Sequence, residues 1–170
     1  MKFKIASLLM ALLIYPAVAQ HQHNQTPYAS MQERSLKALS EQQISDLRMG
    51  RGMGFALAGE LNGYPGPLHV IELADKLDLT DTQRRQVQTL FEMMKAESIS
   101  IGETLIAQES ALDREFAERR ITPASLVSLT SDIGQTQAHL RAVHLKYHLT
   151  TAKLLSVDQK NRYGILRGYR

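Results

Sequence analysis

Two histidines near the C-terminal end of the sequence have the spacing of a metal-ligand pair. His144 and His148 are four residues apart, and on a helix such residues lie on one face, so both imidazoles could reach the same ion. Neutral imidazole suits zinc, nickel or copper. The alternative is that both histidines flank an apolar stripe as amphipathic residues beside Val143 and Tyr147. The spacing therefore predicts a metal site, with a packing role as its competitor.

A pair of imidazoles needs further ligands to form a metal site. His139 lies five residues before His144, which places it about 140° away around a helix, so we do not expect it to be the third ligand. A Glu or His from elsewhere in the chain, or from a second subunit, would have to complete the site. The candidates are Glu97, Glu103 and His69.

A second pair of histidines, His21 and His23, lies in a polar segment near the N-terminus. A free amine with imidazoles nearby can bind Cu(II) or Ni(II) in tetragonal geometry. Such a site requires Gln20 to become the first residue and to keep its amine, which cyclisation of this glutamine would remove. Short polar segments also contain histidine by chance.

Other residues have the character of a surface for unfolded proteins. Met53 lies among glycines in the segment 50–54, and Phe55 follows it. Methionine adapts to irregular apolar partners, while Arg84 and Arg85 could steer acidic clients toward the protein. The alternatives are core filling by methionine and a solvated helix surface for the arginines. We take these four residues as candidate client-binding residues.

The sequence has none of the patterns that indicate an enzyme. Cysteine is absent, and there is no Gly-x-Ser-x-Gly, no His-Glu-x-x-His and no phosphate-binding loop. The 20 Lys and Arg residues exceed the 17 Asp and Glu residues by too little to predict nucleic-acid binding. We therefore expect a protein that is not an enzyme, requires no cofactor and binds no nucleic acid.

Residues 1–19 have the pattern of a secretory signal peptide. Lys2 and Lys4 precede an apolar run, and residues 17–19 form a small-x-small cleavage site. The run is shorter than the roughly 20 residues that a spanning helix needs, and an uncleaved anchor is the alternative. An exported chain without cysteine favours a Gram-negative periplasm. Residues 20–38 are polar and predict a flexible arm, which leaves 39–170 as a single domain.

Apolar periodicity predicts that this domain is all-α. Short helices are expected after Ser40, over 55–61, over 68–77 and after Ser156, and long helices from Asp81 to about residue 116 and over 124–154. Because the turn between the long helices is tight, they must lie antiparallel. A hairpin longer than a compact domain is wide cannot cover its apolar stripe alone, which predicts an elongated, cradle-like homodimer.

Three segments, 39–43, 79–83 and 155–159, share the form Leu-Ser/Thr-x-x-Gln. Each has the form of a capping box, in which the hydroxyl and the glutamine satisfy backbone amides at a helix start. Two copies consist of Leu79, Thr80 and Gln83, and of Leu155, Ser156 and Gln159. A repeated motif of this form in an exported helical chain resembles the Spy/CpxP family of periplasmic proteins, whose signature is a repeated Leu-Thr-x-x-Gln.

The resemblance implies an ATP-independent protein-refolding chaperone or envelope-stress adaptor, built as a cradle-shaped helical dimer. Its partners would be unfolded or misfolded periplasmic proteins, and a membrane sensor kinase or an anti-sigma factor is a further expected partner. The Gly-Met-Gly segment at 52–54, the turn at 62–67 and the histidine-rich stretch at 139–148 resemble a branch of periplasmic heavy-metal sensors. That branch implies the alternative function, a sensor or resistance protein that binds Zn, Ni or Cu.

Overall fold

The computed structural model describes residues 28–169, and within this range the chain is all-α with no strand. One turn of 3-10 helix covers Met31–Glu33. The six α-helices, numbered in chain order, are α1 (Glu41–Arg48), α2 (Leu57–Glu60), α3 (Pro67–Glu72), α4 (Asp81–Ala117), α5 (Pro123–Leu154) and α6 (Val157–Leu166).

Helices α4 and α5 form the long antiparallel hairpin expected from the sequence. They contain 37 and 32 residues, so α4 is about 55 Å long. Thr122 caps the start of α5 by accepting a hydrogen bond from the backbone N–H of Ser125, and Pro123 occupies the first helical position. The predicted fold class is confirmed, including the shorter helices that flank the hairpin.

Two clusters of buried side chains hold the helices together. The first runs along the hairpin and packs α1 against α4 and α5, whereas the second joins α3, the start of α4 and α6. The first cluster consists of Leu36, Leu39, Ile44, Leu47, Met94, Ile101, Leu105, Ile133, Leu140, Val143 and Tyr147. The second consists of Val70, Ala74, Leu77, Leu79, Val87, Leu155 and Tyr163.

The glycine in the middle of α4 marks the place where α1 crosses the hairpin. A Cβ added to Gly102 would lie 2.7 Å from the carbonyl oxygen of Leu47 and 3.2 Å from the Leu47 Cβ. Any larger residue would push α1 away from α4. Glycine is a poor helix former, but the packing requires it here because the backbones of α1 and α4 are in contact.

The short elements differ from the sequence expectation in two respects. Helices α2 and α3 are shorter than predicted, and α3 gives way after Glu72 to turns that end with Asp78 in a left-handed conformation at φ 50°. The predicted arm at 20–38 also needs correction at its end, because Leu36 is 5% exposed and belongs to the first cluster. Core packing thus begins before residue 39, because Leu36 is buried although most of its neighbours in sequence are polar.

Apolar residues remain exposed at the turn of the hairpin. Phe116, Leu126 and Val127 are exposed to 53%, 38% and 69%, so the single chain leaves them uncovered, and the expected dimer stays a prediction. Within residues 28–169, none of the helices has the length and apolar character needed to cross a bilayer. The expected signal peptide at 1–19 lies outside the described residues.

Candidate functional site

An open cavity of about 600 Å³ lies where the glycine-rich segment faces the hairpin. Its walls come from residues 49–54, from Ala56 and Leu57, from the start of α3, and from the facing sides of α4 and α5. Three apolar side chains stand exposed around it, since Met49, Leu57 and Leu68 are accessible to 46%, 55% and 40%. Its buried side carries polar groups, namely Glu60, His144 and His148. The cavity therefore combines apolar walls with buried polar side chains.

His144 is fixed on the buried side of the cavity by contacts to two other elements. Its Nε2 lies 3.3 Å from Ser98 Oγ on α4, and its ring stacks on Phe55 with centroids 6.0 Å apart and planes 22° apart. Burial, assisted by the nearby His148, lowers the pKa of His144 to about 4. The imidazole is therefore neutral at neutral pH.

His148 lies one helical turn further along α5 and lines the same cavity. Its Nδ1 is 2.8 Å from the carbonyl oxygen of Tyr64; because a carbonyl only accepts, Nδ1 carries a hydrogen, and in the neutral ring the lone pair lies on Nε2. Nδ1 is also 3.5 Å from Glu60 Oε2. A Cβ added to Gly66 would be 2.7 Å from the ring Cε1 and Nε2, so glycine permits the close approach of backbone and imidazole.

Glu60 is the centre of a buried polar network that ties α2 to α6. Glu60 is only 6% exposed. Its Oε1 accepts hydrogen bonds from the hydroxyls of Tyr163 and Tyr169, the latter at 3.0 Å. Arg167 Nε approaches the same oxygen to 3.9 Å. Burial, with the hydrogen bond to Glu60, raises the pKa of Tyr163, so this hydroxyl stays protonated and donates.

The carboxylates expected to complete a metal site are engaged elsewhere. Glu97 Oε2 accepts hydrogen bonds from Lys146 Nζ at 2.7 Å and from Tyr147 Oη at 3.0 Å, and the bond from Lys146 lowers the pKa of Glu97. Glu103 pairs with Arg48 at 3.3 Å. Neither carboxylate lines the cavity, so neither joins the two histidines.

The remaining histidines do not complete a metal site either. His69 lines the cavity, but its Nδ1 lies 2.9 Å from Glu72 Oε2, and His139 is exposed on another face of α5, as its spacing predicts. Residues 28–169 contain no group of three or more His, Asp or Glu side chains that could hold a metal ion. His21 and His23 lie outside the described residues.

The four candidate client-binding residues do not form one surface. Met53 and Phe55 both pack against the first core cluster, but of the two only Met53 lines the cavity, with its backbone in a left-handed conformation at φ 44°. Arg84 and Arg85 line a separate depression of about 490 Å³, and Arg84 is paired there with Asp75 at 2.7 Å. Only Met53 therefore combines a place in the cavity with the character expected of a client contact.

The repeated motif forms the capping boxes that its sequence predicts. In each copy the hydroxyl accepts a hydrogen bond from the backbone N–H three residues later, and the glutamine accepts one from the N–H of the capping residue. The three pairs are Ser40 with Gln43 before α1, Thr80 with Gln83 before α4, and Ser156 with Gln159 before α6.

Two of these glutamines also bind one another, across 76 positions of sequence. Gln83 Nε2 donates to Gln159 Oε1 at 3.0 Å, and Gln159 Nε2 donates back to Gln83 Oε1 at 3.1 Å. Each amide donates its other hydrogen to a backbone carbonyl, Gln83 to Leu154 at 2.8 Å and Gln159 to Leu77 at 3.2 Å. All donors and acceptors of both side-chain amides are therefore used, and the starts of α4 and α6 are locked together. We call this arrangement the glutamine clamp.

Sequence reasoning missed Glu60 and the glutamine clamp. Glu60 is the single charged residue between Gly54 and Gly66, where a carboxylate on a short helix is ordinarily solvated, and nothing local indicates its distant tyrosine partners. The clamp had only a weak signal, which is that the second and third copies of the motif both end in glutamine, Gln83 and Gln159. Their direct contact, however, is a tertiary feature that spacing does not reveal.

Comparison with known proteins adds no relative. No family model matches the chain, no curated protein is significantly similar to it, and no solved structure matches its fold at significance. The likeness to the Spy/CpxP family thus depends on the motifs in this sequence and on the helical architecture.

Proposed function

We propose that this protein is an ATP-independent chaperone or envelope-stress adaptor of the periplasm, which shields apolar segments of partly unfolded proteins. The observation that carries the proposal is the open cavity walled by the glycine-rich segment and rimmed by exposed methionine and leucine. Its volume of about 600 Å³ falls within the range of sites that bury organic ligands. It would accept a few apolar side chains of a client at a time.

The chemistry of the walls fits weak binding of varied clients. Met49 and Met53 are unbranched and polarizable, so they can adapt to side chains of different shape. They belong to a segment with glycine at 50, 52 and 54, and exposed apolar patches of this kind mark interaction sites. Shallow burial releases clients without nucleotide hydrolysis, in keeping with a sequence that has no phosphate-binding loop.

The partners expected from the family resemblance remain part of this proposal. Unfolded or misfolded periplasmic proteins are the principal clients, and docking on a membrane sensor kinase or an anti-sigma factor would make the same surface a stress sensor. Export by a cleaved signal peptide and a homodimeric state complete the proposal.

An aggregation assay with charged substitutions on the cavity rim tests the function. We expect the protein at stoichiometric ratio to suppress light scattering by an aggregating client. Leu57→Glu and Leu68→Glu should abolish the effect, because a carboxylate on the rim opposes burial of apolar groups. Val157→Glu is the matched control, since Val157 is 68% exposed and lies outside the cavity.

The variants distinguish binding in the cavity from non-specific binding at exposed apolar residues. Equal protection by all three would remove the cavity from the proposal. No suppression by the unmodified protein at any ratio would remove the chaperone function itself.

A further inference from the structure

Three of the five methionines within residues 28–169 line the same cavity as the histidine pair. They are Met49, Met53 and Met94, whereas Met31 and Met93 lie elsewhere. A thioether is a soft neutral ligand that selects soft metal ions such as Cu(I). The cavity thus brings together thioethers and imidazoles in a place where the hard oxygen ligands are already engaged.

The packing of α4 on α5 puts a thioether level with the second histidine. Ser98 on α4 contacts His144 on α5 at 3.3 Å. Met94 precedes Ser98 by one turn and His148 follows His144 by one turn, so in an antiparallel pair they come to the same level. Both line the cavity, with Met94 only 7% exposed and His148 only 8%.

The glycine-rich segment brings a second thioether to the first histidine. A Cβ added to Gly52 would lie 3.9 Å from Nδ1 and 4.0 Å from Cε1 of His144, so this edge of the ring faces the segment. Met53 follows directly, with its strained left-handed backbone at φ 44°. Strain of this kind in a residue other than glycine is concentrated at functional sites.

Each imidazole can carry a lone pair on the ring nitrogen that makes no hydrogen bond. His148 donates through Nδ1 to Tyr64, which leaves Nε2 as the acceptor. When His144 donates through Nε2 to Ser98 Oγ, its lone pair lies on Nδ1, the nitrogen that faces Gly52. Metal ligation requires a ring nitrogen with a free lone pair.

We propose that this cavity binds a soft monovalent cation, Cu(I) or Ag(I), through the imidazoles of His144 and His148 and the thioethers of Met53 and Met94. This site lies beyond the proposed chaperone function. It goes beyond the Zn, Ni or Cu binding that the heavy-metal branch implies, because it adds two thioethers to the histidine pair and therefore favours a soft monovalent ion. A hard divalent ion would need a third His, Asp or Glu, which residues 28–169 do not supply. Glu60, the carboxylate nearest to His148, already receives hydrogen bonds from Tyr163 and Tyr169.

Titration with Ag(I), which is diamagnetic and not redox-active here, tests the site directly. Isotope-labelled methionine methyl groups are followed by NMR in the full chain carrying His21→Ala and His23→Ala, so that the N-terminal imidazoles do not compete. We expect the methyl resonances of Met53 and Met94 to shift and to saturate at one ion per chain. The resonance of Met93 should not move, and neither Zn(II) nor Ni(II) should reproduce the shifts.

Conservative substitutions supply the second readout. Met53→Leu and Met94→Leu preserve side-chain volume, and each should weaken Ag(I) affinity at least about tenfold through loss of one ligand. Met93→Leu is the matched control, because Met93 is adjacent in sequence but 53% exposed and outside the cavity. Unmoved Met53 and Met94 methyls at saturating Ag(I), or equal affinity in all three variants, would overturn the proposal.

Discussion

Removing one arm of the glutamine clamp should destabilise the protein far more than removing an ordinary helix cap. The side chain of Gln159 takes part in four hydrogen bonds. It accepts from Ser156 N at 2.9 Å and from Gln83 Nε2 at 3.0 Å, and it donates to Leu77 O at 3.2 Å and to Gln83 Oε1 at 3.1 Å. Gln159→Ala loses all four and leaves partly buried partners unsatisfied.

The expected magnitude follows from that inventory. Each hydrogen bond contributes about 0.5–1.5 kcal/mol net, and water can reach some of the freed partners, so we expect Gln159→Ala to cost about 2–3 kcal/mol of unfolding free energy. Gln43→Ala is the matched control. Gln43 is exposed and makes only the capping contact to Ser40 N at 2.8 Å, so its loss should cost about 0.5–1 kcal/mol.

Urea unfolding followed by far-UV circular dichroism measures these differences, and a double-mutant cycle isolates the clamp. Gln83→Ala combined with Gln159→Ala should cost less than the sum of the single changes, with a coupling of about 1 kcal/mol or more. Additive costs, or a Gln43→Ala loss equal to that of Gln159→Ala, would refute the view that the two motifs act as one unit.

Three further predictions concern buried groups. The pKa of His144 is lowered to about 4, so the unfolded chain takes up this proton first as the pH falls below about 6.5. Stability should drop by about 3 kcal/mol between these pH values, and His144→Gln should remove the drop from urea midpoints measured across that range. Burial raises the pKa of Glu109 above its ordinary 4.5, so its contribution to stability is present below that value and is lost as the pH rises through the folded pKa. Glu109→Gln should therefore raise the melting temperature at neutral pH but not in acid; a gain independent of pH would contradict this. Gly102→Ala should cost about 1–3 kcal/mol in urea unfolding because its Cβ meets Leu47 O at 2.7 Å. In the control Gly134→Ala, which has nothing within 4 Å, stability should instead rise by about 0.5–1 kcal/mol, and similar effects at both sites would exclude the helix crossing as the cause.

The helices and their antiparallel arrangement could be predicted because their signals are local. Capping boxes at Ser40, Thr80 and Ser156 begin helices where the structure begins them. Pro123 follows Thr122 in the turn, so the two long helices could only fold back on each other. The early end of α3 was not predictable in the same way, because the turns after Glu72 fold to bring Leu77 and Leu79 into the second cluster.

The candidate site was predictable only in part, since its decisive contacts join distant segments. Spacing put His144 and His148 on one face of α5, where both line the cavity, and it put His139 on another face. It could not indicate that the Gly-Met-Gly segment packs against His144, or that Glu60 is held by tyrosines from α6. These contacts depend on how the glycine-rich segment and α2 pack against the hairpin, and no local sequence pattern determines that packing.

The glutamine clamp and the cavity are formed by different residues, and this separation affects how the repeated motif should be interpreted. Gln83 and Gln159 have every donor and acceptor occupied by the protein itself, so the glutamines that carry the family resemblance have no free group with which to bind a client or an ion. A likeness restricted to this motif is therefore evidence for the helical architecture, and function must be argued from other residues. The exposed apolar rim, the strained Met53 and the neutral His144 all belong to the cavity at the glycine-rich segment. Substitutions on the exposed rim should change binding with little effect on the fold, whereas substitutions in the clamp should do the reverse.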